Sequence, residues 1–239
     1  EVTETSIQED KNLVAEKYKW YTDVINVENK DKGNEKNLLY TISRLVGGIC
    51  STGNEYRKGF CLALTEILKN YDDCVDYEKL CLAANKESFH KKSENSAIKT
   101  SKCIGRIGIF NCIVESSNKI TADILLEICK NTITILESNI STAVEEAAIK
   151  LFKTFTGRLI DSSLDFLTSN KKNQRVLESI FSLWMNIDNE KSKLCLFGVS
   201  ISLIFSKIAK LEDSKLNKNI KFFFTNLVKE NPKYNIDNT

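Results

Sequence analysis

The stretch Tyr40-Thr-Ile-Ser-Arg-Leu-Val-Gly-Gly-Ile-Cys50, continuing Ser51-Thr-Gly-Asn-Glu55 and Tyr56-Arg-Lys-Gly-Phe-Cys-Leu-Ala-Leu-Thr-Glu-Ile-Leu-Lys69, decides the fold. Ile42, Leu45, Val46 and Ile49 recur at helical spacing on one stripe, and Phe60, Leu64, Ile67 and Leu68 on another. Thr52 followed by Glu55 has the form of a capping box that would open the second helix just after Cys50 closes the first. A helical hairpin of this kind cannot bury its stripe alone, so it implies neighbours of the same type.

Outward from this hairpin the same grammar continues. The chain has 239 residues but one proline, Pro232, and nine glycines, so helix breakers are few. The spacing predicts a first helix over Leu13–Val27, a polar linker over Asn29–Lys36, and a helix from Asp72 to about Phe89. A charged loop over Lys91–Ser96 precedes the pair Ala97–Glu115 and Ala122–Leu136. Thr142 with Glu145 offers a second capping box, for a helix to about Phe155. Gly157, Asn170 and Asp188 then punctuate helices near 158–168, 172–186 and 190–210, and a last helix runs from about Ser214 to Lys229. No strand-period segment competes. The expected fold is therefore all-α, about ten paired antiparallel helices in a HEAT- or armadillo-like α-solenoid, with a helical bundle as the alternative. Residues 1–34 form an N-terminal polar segment with the first helix, 35–230 the helical-repeat domain, and 231–239 a flexible tail.

Composition narrows function mainly by exclusion. The eight cysteines contain no Cys-x-x-Cys pair, and His90 is the one histidine, which argues against zinc and against most catalytic triads. Most of the cysteines sit inside apolar helical patterns, where free thiols behave as small hydrophobes, and a reducing compartment follows. No signal peptide is visible, although the chain opens on Glu1 rather than Met. The apolar run Leu194–Ser206 is too short to span a bilayer and reads as a buried helix. Asp72, Asp73 and Asp76, like Glu145 and Glu146, are expected at helix starts, where they complement the dipole. Gly47, Gly48, Gly105 and Gly108 lack the sequence context of a phosphate loop, and they and Gly59 are expected to let helices approach closely. No catalytic residue, metal site, cofactor or small-molecule substrate is indicated, and the chain is not expected to be an enzyme.

Binding residues are easier to nominate. Net charge is +2, but it is uneven: residues 1–149 carry 19 Lys/Arg against 23 Asp/Glu, and residues 150–239 carry 15 against 9. Arg44, Arg57 and Lys58 bracket the hairpin. Lys99, Lys102 and Arg106 recur at helical spacing on one face, Lys171, Lys172 and Arg175 open a later helix, and Lys215, Lys218 and Lys221 form another stripe. Such stripes suit a phosphate backbone or an acidic protein, and equally a solvated face. Exposed aromatics are not interleaved with them, so base stacking is not indicated.

Two segments carry a resemblance. Tyr40-x-x-x-Arg44-Leu45-Val46-x-Gly48, Ser51, and Tyr56-Arg57-x-Gly59-Phe60-x-x-Ala63-Leu64-Thr65-x-x-Leu68, followed in order by Ile104-Gly105-Arg106-Ile107-Gly108-Ile109-Phe110 running to Glu115-Ser116, resemble the opening of the DNA polymerase V/Myb-binding protein 1A family. The resemblance covers roughly residues 35–120. It implies a helical-repeat protein of the nucleus and nucleolus, either a reduced version or an N-terminal part, engaged in rRNA transcription and ribosome assembly. The implied partner is a ribosomal or pre-ribosomal particle, met through rRNA or protein. Polymerase chemistry needs paired aspartates on adjacent strands to hold two metal ions, and these residues offer neither. The competing reading is a HEAT/armadillo-type protein–protein adaptor without nucleic-acid contact, docking an acidic or hydrophobic peptide.

Overall fold

The computed structural model describes residues 21, 24, 25, 32–51, 54–89, 93–138, 140–160 and 170–185. Among them the chain is all-α, with seven helices and no strand: α1 Lys32–Ser51, α2 Asn54–Asn70, α3 Tyr77–Glu87, α4 Ser96–Ser116, α5 Ala122–Glu137, α6 Thr142–Ile160 and α7 Lys171–Met185. The helices expected near 190–210 and 214–229, the Leu194–Ser206 run, His90, Cys195, the Thr52 capping box and the tail beyond Pro232 lie outside the described residues.

Side-chain caps start four of the helices. Asp76 accepts from the Lys79 amide at 3.0 Å, Asn95 from Ile98 at 2.9 Å, Thr121 from Ile124 at 3.3 Å and Asn170 from Asn173 at 2.9 Å. Each satisfies an amide that has no partner within its own helix, which contributes about 1 kcal/mol. Helix α6 begins at Thr142 itself, and the Ser141 carbonyl accepts from Val144 and Glu145, so the expected cap is displaced by one residue. Helix α1 starts at Lys32, inside the expected polar linker, because Lys and Glu propagate a helix without apolar neighbours. Of the helix expected over Leu13–Val27 only three residues are described, and they are not helical: Tyr21 and Val24 lie in turns and Ile25 forms an isolated antiparallel bridge with Val75.

Helix α4 is the centre of the core. Cys103, Ile107, Ile109, Phe110, Cys112, Ile113 and Val114 are all buried, as expected of a helix that is apolar nearly all round. It packs against α1, α2 and α6. Helices α2, α4 and α6 touch in succession, as do α1, α3, α5 and α7. Contacts advance together along α2 and α4 (Arg57 with Ser101, Thr65 with Cys112) and along α4 and α6 (Thr100 with Ser141, Asn111 with Thr154), so these three helices point the same way. Gly105 permits the closest approach. A Cβ there would stand 2.7 Å from the Cys50 Cα and 2.8 Å from the Ile49 carbonyl oxygen. A Cβ at Gly48 would meet the Phe60 ring at 3.1 Å. Gly59, by contrast, has nothing within 4 Å of that position, so its expected role in close packing is not observed. Helix α6 runs through Gly157, which had been expected to end it.

Asp72 is not at a helix start but in the turn before α3. Its Oδ1 accepts from the Tyr77 hydroxyl at 2.6 Å and the Ser117 hydroxyl at 2.9 Å, and its Oδ2 accepts from the Asn118 amide at 3.2 Å, which ties the α2–α3 turn to the α4–α5 turn.

The seven described cysteines are free thiols, five of them buried. Burial pushes the thiols of Cys50 and Cys81 up from 9.0 to about 12, with Glu87 adding to the first and Glu127 to the second. Below pH 9 both folded and unfolded chains keep these protons and the stabilisation is complete. As pH rises toward 12 only the unfolded chain ionises, so stability falls across that interval. Tyr21 and Tyr77, also raised by burial, act in the same direction. Urea midpoints measured between pH 8 and 11 under reductant should decline, and less steeply in a Cys50→Ala/Cys81→Ala variant; identical slopes would contradict the assignment.

Candidate functional site

The cationic residues nominated from the sequence separate into two groups once their surroundings are known. Arg57 is only 6% exposed. Its Nε donates to the Ile49 carbonyl at 2.9 Å, and its Nη2 donates to the Ser101 hydroxyl at 2.7 Å and the Ser101 carbonyl at 3.3 Å. Arg106 donates through Nε to the Ser88 hydroxyl and through Nη2 to the Ser88 carbonyl at 3.4 Å. Lys102 pairs with Glu94 at 2.8 Å and donates to the Phe89 carbonyl at 3.0 Å. The Lys99, Lys102, Arg106 stripe is therefore not one outward cationic face: Lys99 is half-buried and the other two are turned into the α3–α4 connection. Burial holds the Arg57 and Arg106 guanidinium groups below their ordinary range, and neighbouring thiols oppose this.

The remaining candidates face solvent. Arg44 is exposed on α1 and Lys58 on α2, and Lys171, Lys172 and Arg175 are exposed at the start of α7, where Lys172 meets Asp123 at 2.8 Å. Lys215, Lys218 and Lys221 lie outside the described residues.

A recurring device emerges that the sequence reading missed. Arg158 on α6 donates through Nη1 to the carbonyls of Val114 and Ser117, the latter at 2.6 Å, and through Nη2 to Asn118 Oδ1 at 3.3 Å. Arg57, Arg106 and Arg158, one each on α2, α4 and α6, thus reach carbonyls at the C-terminal ends of α1, α3 and α4. Those carbonyls lack intrahelical donors and carry the negative end of the helix dipole, so a guanidinium fork answers both needs.

Between α2, α4 and α6 lies a groove of about 630 Å³. Leu62, Ile104, Ile107 and Ala147 supply its apolar lining, Lys58, Lys69 and Lys150 its cations, and Glu66 and Glu115 its carboxylates. Cys61 and Cys112 also line it. Leu62 is 66% exposed, on the side of α2 away from Leu64 and Leu68. Its departure from the Phe60, Leu64, Ile67, Leu68 stripe was the available signal. Lys150 gave none, because only the packing of α6 beside α4 brings it to α2.

Among the described residues no group of three or more His, Cys, Asp or Glu could hold a metal ion, and no helix is long and apolar enough to cross a membrane. Comparison of the chain with protein-family models, with curated proteins and with solved structures finds no match.

Proposed function

We propose that the chain is a non-enzymatic binding scaffold of the α-solenoid type, whose α2–α4–α6 groove receives an acidic protein segment carrying an apolar anchor. The groove carries this reading: an apolar lining that includes the exposed Leu62, with the cations Lys58, Lys69 and Lys150 beside the carboxylates Glu66 and Glu115, of which Glu66 pairs with Lys69 at 3.1 Å. Exposed apolar area rimmed by charge favours a protein partner, with the apolar anchor giving affinity and the charges giving register. A phosphate backbone fits less well, because Arg57, Lys102 and Arg106 already serve helix contacts. The solenoid reading is supported by two successive rows of helices and by three arginines used alike. The resemblance of residues 35–120 to the DNA polymerase V/Myb-binding protein 1A family suggests a pre-ribosomal particle in the nucleolus as the place where the partner resides.

Co-sedimentation with pre-ribosomal particles across a salt series tests this. Leu62→Glu is expected to weaken retention about tenfold or more, whereas Lys171→Glu/Arg175→Glu leaves it unchanged. The reverse pattern would favour contact with RNA, and free protein at every salt concentration would exclude the particle.

A further inference from the structure

The two thiols lining the groove are unlike the other described ones. Cys61 on α2 and Cys112 on α4 stand on neighbouring helices, close enough for each thiol to shift the ionisation of the other. The Cys112 Sγ also lies 3.4 Å from the Cys61 carbonyl oxygen. Cys61 packs beside Gly108, where a Cβ would be in van der Waals contact with its sulfur at 3.4 Å. Cys61 is half-exposed to the groove, while Cys112 is buried behind it. Cys50, Cys81, Cys103 and Cys129 are buried, and Cys74, although half-exposed, does not line this groove.

The charges around the pair are asymmetric. The neighbouring Cys112 thiol lowers Cys61 below its ordinary value, Arg57 and Lys150 add to this, and burial and Glu115 oppose it. The Cys61 thiol and burial push Cys112 well up, with Glu115 adding to this and Thr65 opposing. An accessible thiol made more acidic, with a buried and less acidic thiol beside it, is the arrangement of a redox-responsive dithiol.

We propose that Cys61 and Cys112 form a reversible oxidation site for hydrogen peroxide, with Cys61 as the attacking sulfur and Cys112 as the resolving one. The Cys61 thiolate attacks one peroxide oxygen and the O–O bond breaks, giving Cys61 sulfenic acid and hydroxide. The Cys112 sulfur then attacks the sulfenic sulfur, and the departing hydroxide takes the Cys112 proton to leave as water. Two thiols are oxidised to one disulfide and one peroxide is reduced to water. This pairing does not depend on what occupies the groove.

The test exposes the reduced full chain to sub-stoichiometric hydrogen peroxide, followed by differential alkylation and peptide mapping. The expected first product is a Cys61–Cys112 disulfide, reversed by dithiothreitol. Cys112→Ser should instead accumulate a Cys61 sulfenic acid that dimedone traps, and Cys61→Ser should leave Cys112 unreacted at the same dose. Oxidation spread evenly over the eight thiols, or led by Cys74, would overturn the proposal. Should either variant lose its helical circular dichroism, the unmutated protein decides. Iodoacetamide should modify Cys61 several-fold faster than Cys74 at neutral pH, and equal rates would overturn the assignment.

Discussion

Gly105→Ala is expected to destabilise the protein by about 2 kcal/mol, while the same substitution at Gly59 is expected to stabilise it by about 0.5–1 kcal/mol. Both glycines lie within helices, so both gain the same reduction in unfolded-chain entropy from a methyl group. Their surroundings set the sign. At Gly105 the new Cβ would sit inside contact distance of the Cys50 Cα and the Ile49 carbonyl, which are backbone atoms that cannot rotate away. The α1–α4 contact must open, and Ile49, Cys50 and Ile107 lose packing with it. At Gly59 the methyl enters open space. For a domain of this size the first change corresponds to a melting temperature lower by about 4–8 °C. Urea unfolding of the two variants beside the parent measures the difference, and a Gly105→Ala variant as stable as the Gly59→Ala variant would refute the close approach.

Arg57→Ala is expected to cost about 3 kcal/mol. The loss is that of the hydrogen bonds to the Ile49 carbonyl and the Ser101 hydroxyl, made by a charged donor where water has limited access. Arg57→Lys should recover only part of it, because an ammonium cannot present the fork that spans α1 and α4 from α2. Arg44→Ala, on the exposed face of α1, is the control and should remain within about 0.5 kcal/mol of the parent. Equal stabilities for the Arg57 and Arg44 variants would show that Arg57 does not hold these helices together.

Much of the helical layout is legible in the sequence, and the reasons differ by element. Helices α4 and α5 fall within a residue of expectation, because their apolar runs are long and Ser117 and Thr121 mark the break between them. Helix α3 is shorter than expected, since the carboxylate that caps it is Asp76 rather than Asp72. The aspartate cluster looks uniform in sequence, but only Asp76 caps α3, while Asp72 serves the Asn118 amide of the α4–α5 turn. Gly157 does not end α6, because a glycine within a helix costs only about 1 kcal/mol, which flanking contacts such as those of Phe155 and Arg158 can offset.

The candidate site was harder to read. Charge can be counted from residue letters, whereas direction depends on which helix packs alongside. Arg106 carried a clue, since it stands between Gly105 and Ile107 in a helix apolar nearly all round, where a cation must find carbonyls. Arg57 carried less, because its partner Ser101 is remote in sequence. The groove combines residues from three helices, and no local pattern announces which three will meet.

The three arginine clamps bear on how the chain comes apart. Each joins a short set of adjacent elements, with α1, α2 and α4 under Arg57, α3 and α4 under Arg106, and α4 and α6 under Arg158. Every one of these sets includes α4. Opening a single latch therefore frees one flank while the other two still grip the middle helix, so partial openings at either flank cost less than a global one. The molecule behaves less like a solid block than like leaves bound to a common spine.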